Sequence, residues 1–368
     1  MERIQSEWEN IVDINLTESG VSPLSIADLV PDDERRDELF KTSLGYSQTN
    51  GTVELRETIA GMYEGATPDN VLVTNGGAEA NFITIWNLLH ENKDRNEIAM
   101  MLPNYMQMHG LTKGLGGDVI PYYLRMKGNR WLADIEGLKS AVSKKTAAIT
   151  VCNPNNPTGA ILEADNLKAI SEIAADVDAW VISDEIYQGA ELEPRRSPSM
   201  FGLYDKVIVT NSLSKAYGLP GLRLGWILTS AQQHAKELWS YSDYTTICPG
   251  KLSDMLATIA LQPEMREKIV GRTAGIIKRN WDILKAWLDD RLEIFEYIPP
   301  QAAAICFPRH NLPISSLELV DRLLREKSLL IIPGEHFGME RYLRIGFGYD
   351  SDKLRNGLSR FDEMIETL

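Results

Sequence analysis

The sequence predicts an α/β protein: a large domain with a mainly parallel, seven-stranded-type sheet, and a smaller α+β domain. Three observations carry this. The middle of the chain alternates short β-branched apolar runs with amphipathic helical stretches, the pattern of a parallel sheet covered by helices on both faces. After a long amphipathic stretch at 263–290 the tail changes to short mixed segments. At 368 residues the chain also exceeds one ordinary compact core.

The elements follow in order. NVLVTN (70–75) reads as a strand and GGAEANFITIWNLLH after it as a helix. EIAMMLPNY (97–105) is a strand running into a loop, and GLGG (114–117), which precedes the next strand, ends a helix. TAAITVCNPNNPTG (146–159), AWVISDEIY (179–187), DKVIVTNSLSK (205–215) and LRLGWILTS (222–230) repeat the theme of an apolar run with a polar end. Beyond the long helix, AAAICF and YLRIGFG are short segments, with helices expected at 316–326 and 351–367. Neither a repeat nor a compositional linker appears. We expect a large domain at 40–260 and a small domain built from 1–39 and 261–368.

Composition narrows the function. With 38 basic against 52 acidic residues the net charge is −14, which argues against a nucleic-acid surface, where clustered Lys and Arg displace counterions. MERIQSEWENIVD lacks an apolar signal core, and no run of eighteen apolar residues occurs, so neither secretion nor a membrane span is expected and a cytoplasmic location is. Cys152, Cys248 and Cys306 are widely separated. They form no disulfide framework or metal-ligand spacing and read as small buried residues. His109 reads as an ordinary helix residue, and no metal is expected.

The chemistry sits where apolar runs end. In open α/β sheets ligands bind beyond the carboxyl ends of the strands, and GGAEAN, PNY, NPNNPTG, SDEIY and NSLSK all fall there. Lys215 follows a strand and lies between small hydroxyl residues and a Gly-rich turn. Burial there would lower its pKa and make it a nucleophile toward an aldehyde. By itself it also reads as a surface lysine. Ser212, Ser214 and Arg223 around it suit a phosphate, as do the amides of Gly77 and Ala78 where a helix begins. GGAEAN matches neither nucleotide-binding glycine pattern. Asp184, closing a buried strand, needs a partner such as a protonated pyridine nitrogen; a helix N-cap is the plainer reading. NPNNPTG, with two prolines in five residues, must be a rigid turn. There Asn156, together with Tyr187, could donate to a phenolate oxygen.

These motifs in this order resemble the fold-type I pyridoxal-phosphate enzymes, specifically the class I/II aminotransferases with the aspartate aminotransferase-like fold. The resemblance runs from about Leu44 to Gly348. It implies pyridoxal 5'-phosphate as cofactor, with Lys215 its Schiff-base lysine, Asp184 the partner of its ring nitrogen, and Asn156 and Tyr187 at its ring hydroxyl. Tyr105 would stack on the ring, while Gly77, Ala78, Ser212, Ser214 and Arg223 would hold the phosphate. Tyr46 would reach the phosphate of a neighbouring subunit, which implies a homodimer with shared sites. Arg344 would clamp the substrate α-carboxylate, with Asn156 beside it.

The implied reaction moves the α-amino group of an amino acid to a 2-oxo acid, with Lys215 carrying the proton at the substrate's α-carbon. An alternative is elimination or cyclisation, including a C–S lyase. NLTESGVSPLS (15–25) resembles the start of a subgroup that includes capreomycidine synthase, which cyclises a hydroxylated arginine. On that comparison Glu18, with Gly20 beside it, would face a cationic substrate side chain; otherwise Glu18 is a solvated loop carboxylate. No arginine matches the one that reads a second substrate carboxylate. A regulator retaining this fold would need an added DNA-binding domain, for which the roughly forty residues before the core are too few and too acidic.

Overall fold

The computed structural model describes residues 2–91 and 93–368. A short strand β1 (Ile14–Asn15) comes first. Eight strands then build the principal sheet: β2 (Val71–Thr74), β3 (Glu97–Leu102), β4 (Asp118–Lys127), β5 (Arg130–Ala133), β6 (Thr146–Cys152), β7 (Trp180–Asp184), β8 (Val207–Ser212) and β9 (Gly225–Thr229). Across the sheet they run β2-β9-β8-β7-β6-β3-β4-β5. Seven belong to the expected run. The eighth, β5, is the return arm of a hairpin on β4, turned at Gly128, whose φ of +60° suits glycine.

Strands β8, β7, β6, β3 and β4 pair in parallel. β6 and β8 are buried along their whole length, which is why they read as unbroken apolar runs. β9 is antiparallel to both neighbours. The residues between it and β8, 213–224, hold no helix beyond the 3-10 segment Pro220–Leu222, so the helical crossover that usually joins parallel neighbours is missing there.

The termini make smaller sheets. β10 (Phe295–Glu296) pairs with β12 (Arg309–His310), and β1 lies parallel to β13 (Leu329–Leu330). β15 (Leu343–Gly346) runs antiparallel between β11 (Ile305–Cys306) and β14 (Ile332–Pro333). The helices Pro263–Asp289, Ser316–Lys327 and Ser351–Ile365 accompany them. Ser315 and Asp350 cap the latter two by accepting from free backbone amides. An aromatic cluster of Trp281, Trp287, Phe295, Phe347 and Phe361 fills this core.

The N-terminal segment is stitched to β15 and the residues after it. The Gly346 amide donates to the Leu16 carbonyl at 2.7 Å, and the Ser22 amide to the Gly348 carbonyl at 2.9 Å. A Cβ at Gly346 would strike the Glu18 carbonyl, and one at Gly348 the Gly20 carbonyl. Gly348→Ala should therefore lower stability by about 2 kcal/mol or more, as overpacking against fixed backbone does. Urea unfolding checks this; an unchanged midpoint would show that the crossing can relax.

Candidate active site

The carboxyl ends of β2, β3, β6, β7 and β8 face one cavity of about 370 Å³. Its lining joins both parts of the chain: Gly77, Ala78, Tyr105, Asn156, Asp184, Tyr187, Ser212, Ser214, Lys215 and Arg223 from the sheet, with Glu18 and Arg344 from the terminal segments.

One end is an anion cup. The helix Gly77–Glu91 starts here and presents free amides and the positive end of its dipole. Gly76, at φ +82°, passes so near Arg223 that a Cβ would lie 2.6 Å from the guanidinium Nη2. A Cβ at Gly225 would stand 2.6 Å from the Gly76 carbonyl carbon. Two missing side chains thus let Arg223 and β9 close on the turn. Glu79 braces the loop, accepting from the Asn75 amide at 2.5 Å and the Thr246 hydroxyl at 2.6 Å, as well as from Thr245. The Ser214 amide donates to the Ser212 hydroxyl at 3.1 Å.

Asp184 ends β7 and is only 8% exposed. Its carboxylate accepts from the Ile186 amide at 3.2 Å, so it closes a turn instead of capping a helix. Burial pushes it up to about 6, against the opposing effects of that amide and of Asn81. Lys215 opens onto the same cavity with 26% of its side chain accessible, and its Nζ lies 3.8 Å from Glu18 Oε2. Burial holds the amine below the ordinary lysine range; Glu18 opposes this, and Arg344 adds to it.

NPNNPTG is fixed by its buried asparagines. Asn153 accepts from the Leu162 amide at 2.8 Å and donates to the Pro198 carbonyl at 3.1 Å. Asn155 donates to the Pro103 carbonyl at 3.2 Å and accepts from the Thr158 hydroxyl at 2.6 Å. Asn156 is left to face the cavity. Its Oδ1 accepts from Arg344 Nη1 at 3.0 Å, while Arg344 Nη2 donates to the Thr17 carbonyl at 2.7 Å. Arg344 is 2% exposed, and its Nε has no partner among the described residues. An orphaned donor on a buried guanidinium marks a place for an anion.

Of the residues expected in the site, two lie off its lining. Tyr46 is 86% exposed, away from its own chain's cavity. Gly20 packs beneath the lysine, where a Cβ would sit 3.4 Å from Lys215 Cδ. Tyr187 donates to the Ser19 hydroxyl at 2.8 Å. The sequence reading missed Ser19, Asn81, Gln107 and Cys152, and also Glu2, Gln5, Ser6 and Glu9 of the N-terminal arm. Asn81 could have been found, since it is one helical turn after Gly77. Among the described residues no group of His, Cys, Asp or Glu could hold a metal ion, and no helix is long and apolar enough to cross a membrane.

Residues 15–361 match the family model described as aminotransferase class I and II. The chain is 27% identical over 319 residues to capreomycidine synthase of Streptomyces vinaceus, covering 86% of this chain and 80% of that one. It is 28% identical over 348 residues to aspartate aminotransferase of Sulfurisphaera tokodaii, covering 88% and 83%. A PLP-dependent aminotransferase from Streptococcus suis superposes with a TM-score of 0.92 at 29% identity, over 100% of this chain and 96% of that one. The PLP-dependent cyclase OrfR gives 0.87 at 26%, over 100% and 96%.

The residues present fit pyridoxal phosphate: a glycine-cleared anion cup, a buried acid lacking a cation and a buried amine share one cavity. Asp184 also makes the apo protein pH-sensitive. Its folded pKa is raised above the unfolded value, so the folded state holds the extra proton and stability falls as pH rises from about 4 to 6. Glu185, raised by burial to about 7, adds a slope of the same sign. Removing the acid by Asp184→Asn should stabilise the apo protein at pH 8 relative to pH 4 by on the order of 2–3 kcal/mol, with the Glu185 slope common to both proteins. Urea midpoints across this range check it; parallel curves would refute it.

Proposed function

We propose that this chain, which belongs to the aminotransferase class I and II family, transfers the α-amino group of an amino acid to a 2-oxo acid. Enzymes of this family depend on pyridoxal phosphate, and so does this one. The observation that carries the reaction is the meeting of Lys215, Asp184 and the orphaned Arg344 Nε in one cavity. When bound, the cofactor supplies an aldehyde that takes up amines and a ring that accepts electron density from the substrate's α-carbon.

The protein's own groups do the rest. Ser212, Ser214, Arg223 and the Gly77 and Ala78 amides hold the phosphate. Asp184 would hold a proton at the ring nitrogen of the bound cofactor, and Tyr105 would lie against the ring. Asn156 and Tyr187, which line the cavity, would donate at the ring hydroxyl of the bound cofactor. Arg344 holds the substrate carboxylate through its free Nε, and Asn156 fixes the guanidinium plane. That clamp sets the α-carbon before Lys215, whose lowered pKa provides a free base to take the α-proton and return it. Residues 16–22, crossing Gly346 and Gly348, bring Glu18 and Ser19 into the wall of the cavity.

We propose a division at 40–260 against 1–39 and 261–368; it is supported by the principal sheet lying in the first range and the smaller sheets in the others. A homodimer is supported by an exposed apolar surface: Phe40, Leu44, Tyr46 and Tyr244 are 75–87% exposed. The Ser47 hydroxyl donates to the Pro249 carbonyl at 2.8 Å, joining the two segments that carry them. Four large apolar side chains on adjoining segments call for a covering partner. The 244–249 loop is tied through Thr246 to Asn75 beside the anion cup, so a second copy there could bring Tyr46 to the phosphate.

A second reading, cyclisation or elimination, including C–S cleavage, is favoured by Glu18 at 3.8 Å from Lys215 and by the likeness to capreomycidine synthase and OrfR. An amino-acid panel including hydroxyarginine separates the two. Transamination accumulates the pyridoxamine form and a 2-oxo acid; elimination or cyclisation gives ammonia or a ring product without it. Borohydride should fix the cofactor to Lys215, and Lys215→Ala should lower kcat by roughly a thousand-fold. A protein that takes up no cofactor overturns the proposal. Sedimentation should give twice the chain mass, reduced by Tyr244→Glu; a monomer would remove the shared site.

A further inference from the structure

We infer that the pocket selects α-amino acids whose side chain carries a cation, guanidinium or ammonium, and that Glu9, with Glu2 and Glu18, makes that selection. The inference rests on the proposed reaction and deepens it by naming the substrate class.

Seven charged side chains line the cavity: Glu2, Glu9, Glu18 and Asp184 against Lys215, Arg223 and Arg344. Four have assignments. Arg223 faces the phosphate, Asp184 the ring nitrogen, Arg344 the substrate carboxylate, and Lys215 is the amine that the cofactor's aldehyde engages. The three glutamates remain.

Their placement is built into the N-terminal arm. Glu2, Gln5, Ser6 and Glu9 have the spacing i, i+3, i+4, i+7 of one helical face. They lie on the helix Glu2–Trp8 and its next turn, where the Glu9 amide donates to the Gln5 carbonyl at 2.8 Å. Gln5 is anchored by its side-chain amide, which donates to the Thr17 hydroxyl at 2.9 Å. Thr17 immediately precedes Glu18, so the arm and the Glu18 segment are fixed together.

Of the three carboxylates, only Glu18 meets a cation at ion-pair distance among the described residues, and that cation is Lys215. Burial, then the nearby Glu18 and Glu2, raise the Glu9 carboxyl above its usual range, with Lys215 opposing them. Like charges gathered in a partly enclosed cavity repel unless a cation joins them. The orphaned Nε of buried Arg344 independently marks the cavity as one that receives a ligand, and it calls for an anion there. A zwitterionic amino acid with an extra positive charge answers both ends. A dicarboxylate would add a further negative charge to the glutamates, with no unassigned Lys or Arg in the lining.

The test uses the holoenzyme with arginine, lysine, citrulline, norleucine and glutamate. Citrulline keeps the shape of arginine without its charge. We expect kcat/KM for arginine or lysine to exceed that for citrulline and norleucine by about 10-fold or more, with glutamate poorest, as complementary charge requires. Glu9→Gln and Glu18→Gln should each lower the arginine-to-citrulline ratio several-fold, and the cofactor absorbance confirms that each variant is folded and loaded. Equal use of arginine and citrulline, or an unchanged ratio in Glu9→Gln, overturns the inference. A holoenzyme that converts only neutral or acidic amino acids overturns it and leaves the aminotransferase reading standing. One whose absorbance no amino acid shifts overturns both.

Discussion

Residues 16–22 cross Gly346 and Gly348 backbone against backbone, and two hydrogen bonds of 2.7 and 2.9 Å set their register. The approach is too close for any side chain at either glycine. Because Arg344 lies just before this crossing, the same contact brings the Thr17 carbonyl under its guanidinium, which borders the cavity. It also delivers Glu18 and Ser19 to Lys215 and Tyr187. A shift in this crossing would misplace Arg344 and the acidic wall at once.

The sheet supplies the opposite wall with charges that are costly in isolation. Asp184 and Lys215 are each driven toward neutrality by burial, and neither meets a full counter-charge within the sheet. Such a site is poised for a ligand with complementary charges, since the desolvation cost is already incurred in the folded apo state. Cofactor binding should therefore stabilise the fold by mass action. The helix starting at Gly77 and the Arg223 guanidinium form a fixed anion cup, and Glu79 couples that cup to the surface loop that carries Tyr244.

Much of this was legible in the chain. Long buried strands announce themselves by β-branched runs, and polar residues just past them mark the binding edge, which is how Lys215, Asp184, Asn156 and Gly77 were found. β9 was harder. Its apolar pattern equals that of its neighbours, and its reversed direction goes with a connection, 213–224, that carries only the 3-10 segment Pro220–Leu222 and no crossover helix. Hairpin strand β5 was missed because RWLA is only four residues long.

The sequence by itself determined the family, the cofactor and the order of the groups that attend it, because each sits in a local motif at the end of an element. Tertiary structure alone decided what surrounds Lys215. Glu9 and Glu18 lie some two hundred residues away, on a helix and an extended segment with no motif of their own. Only the glycine-cleared crossing over β15 and the helical face Glu2–Glu9 bring them in. Periodicity marks which face of a helix is alike, but which cavity that face meets is set by packing at long range.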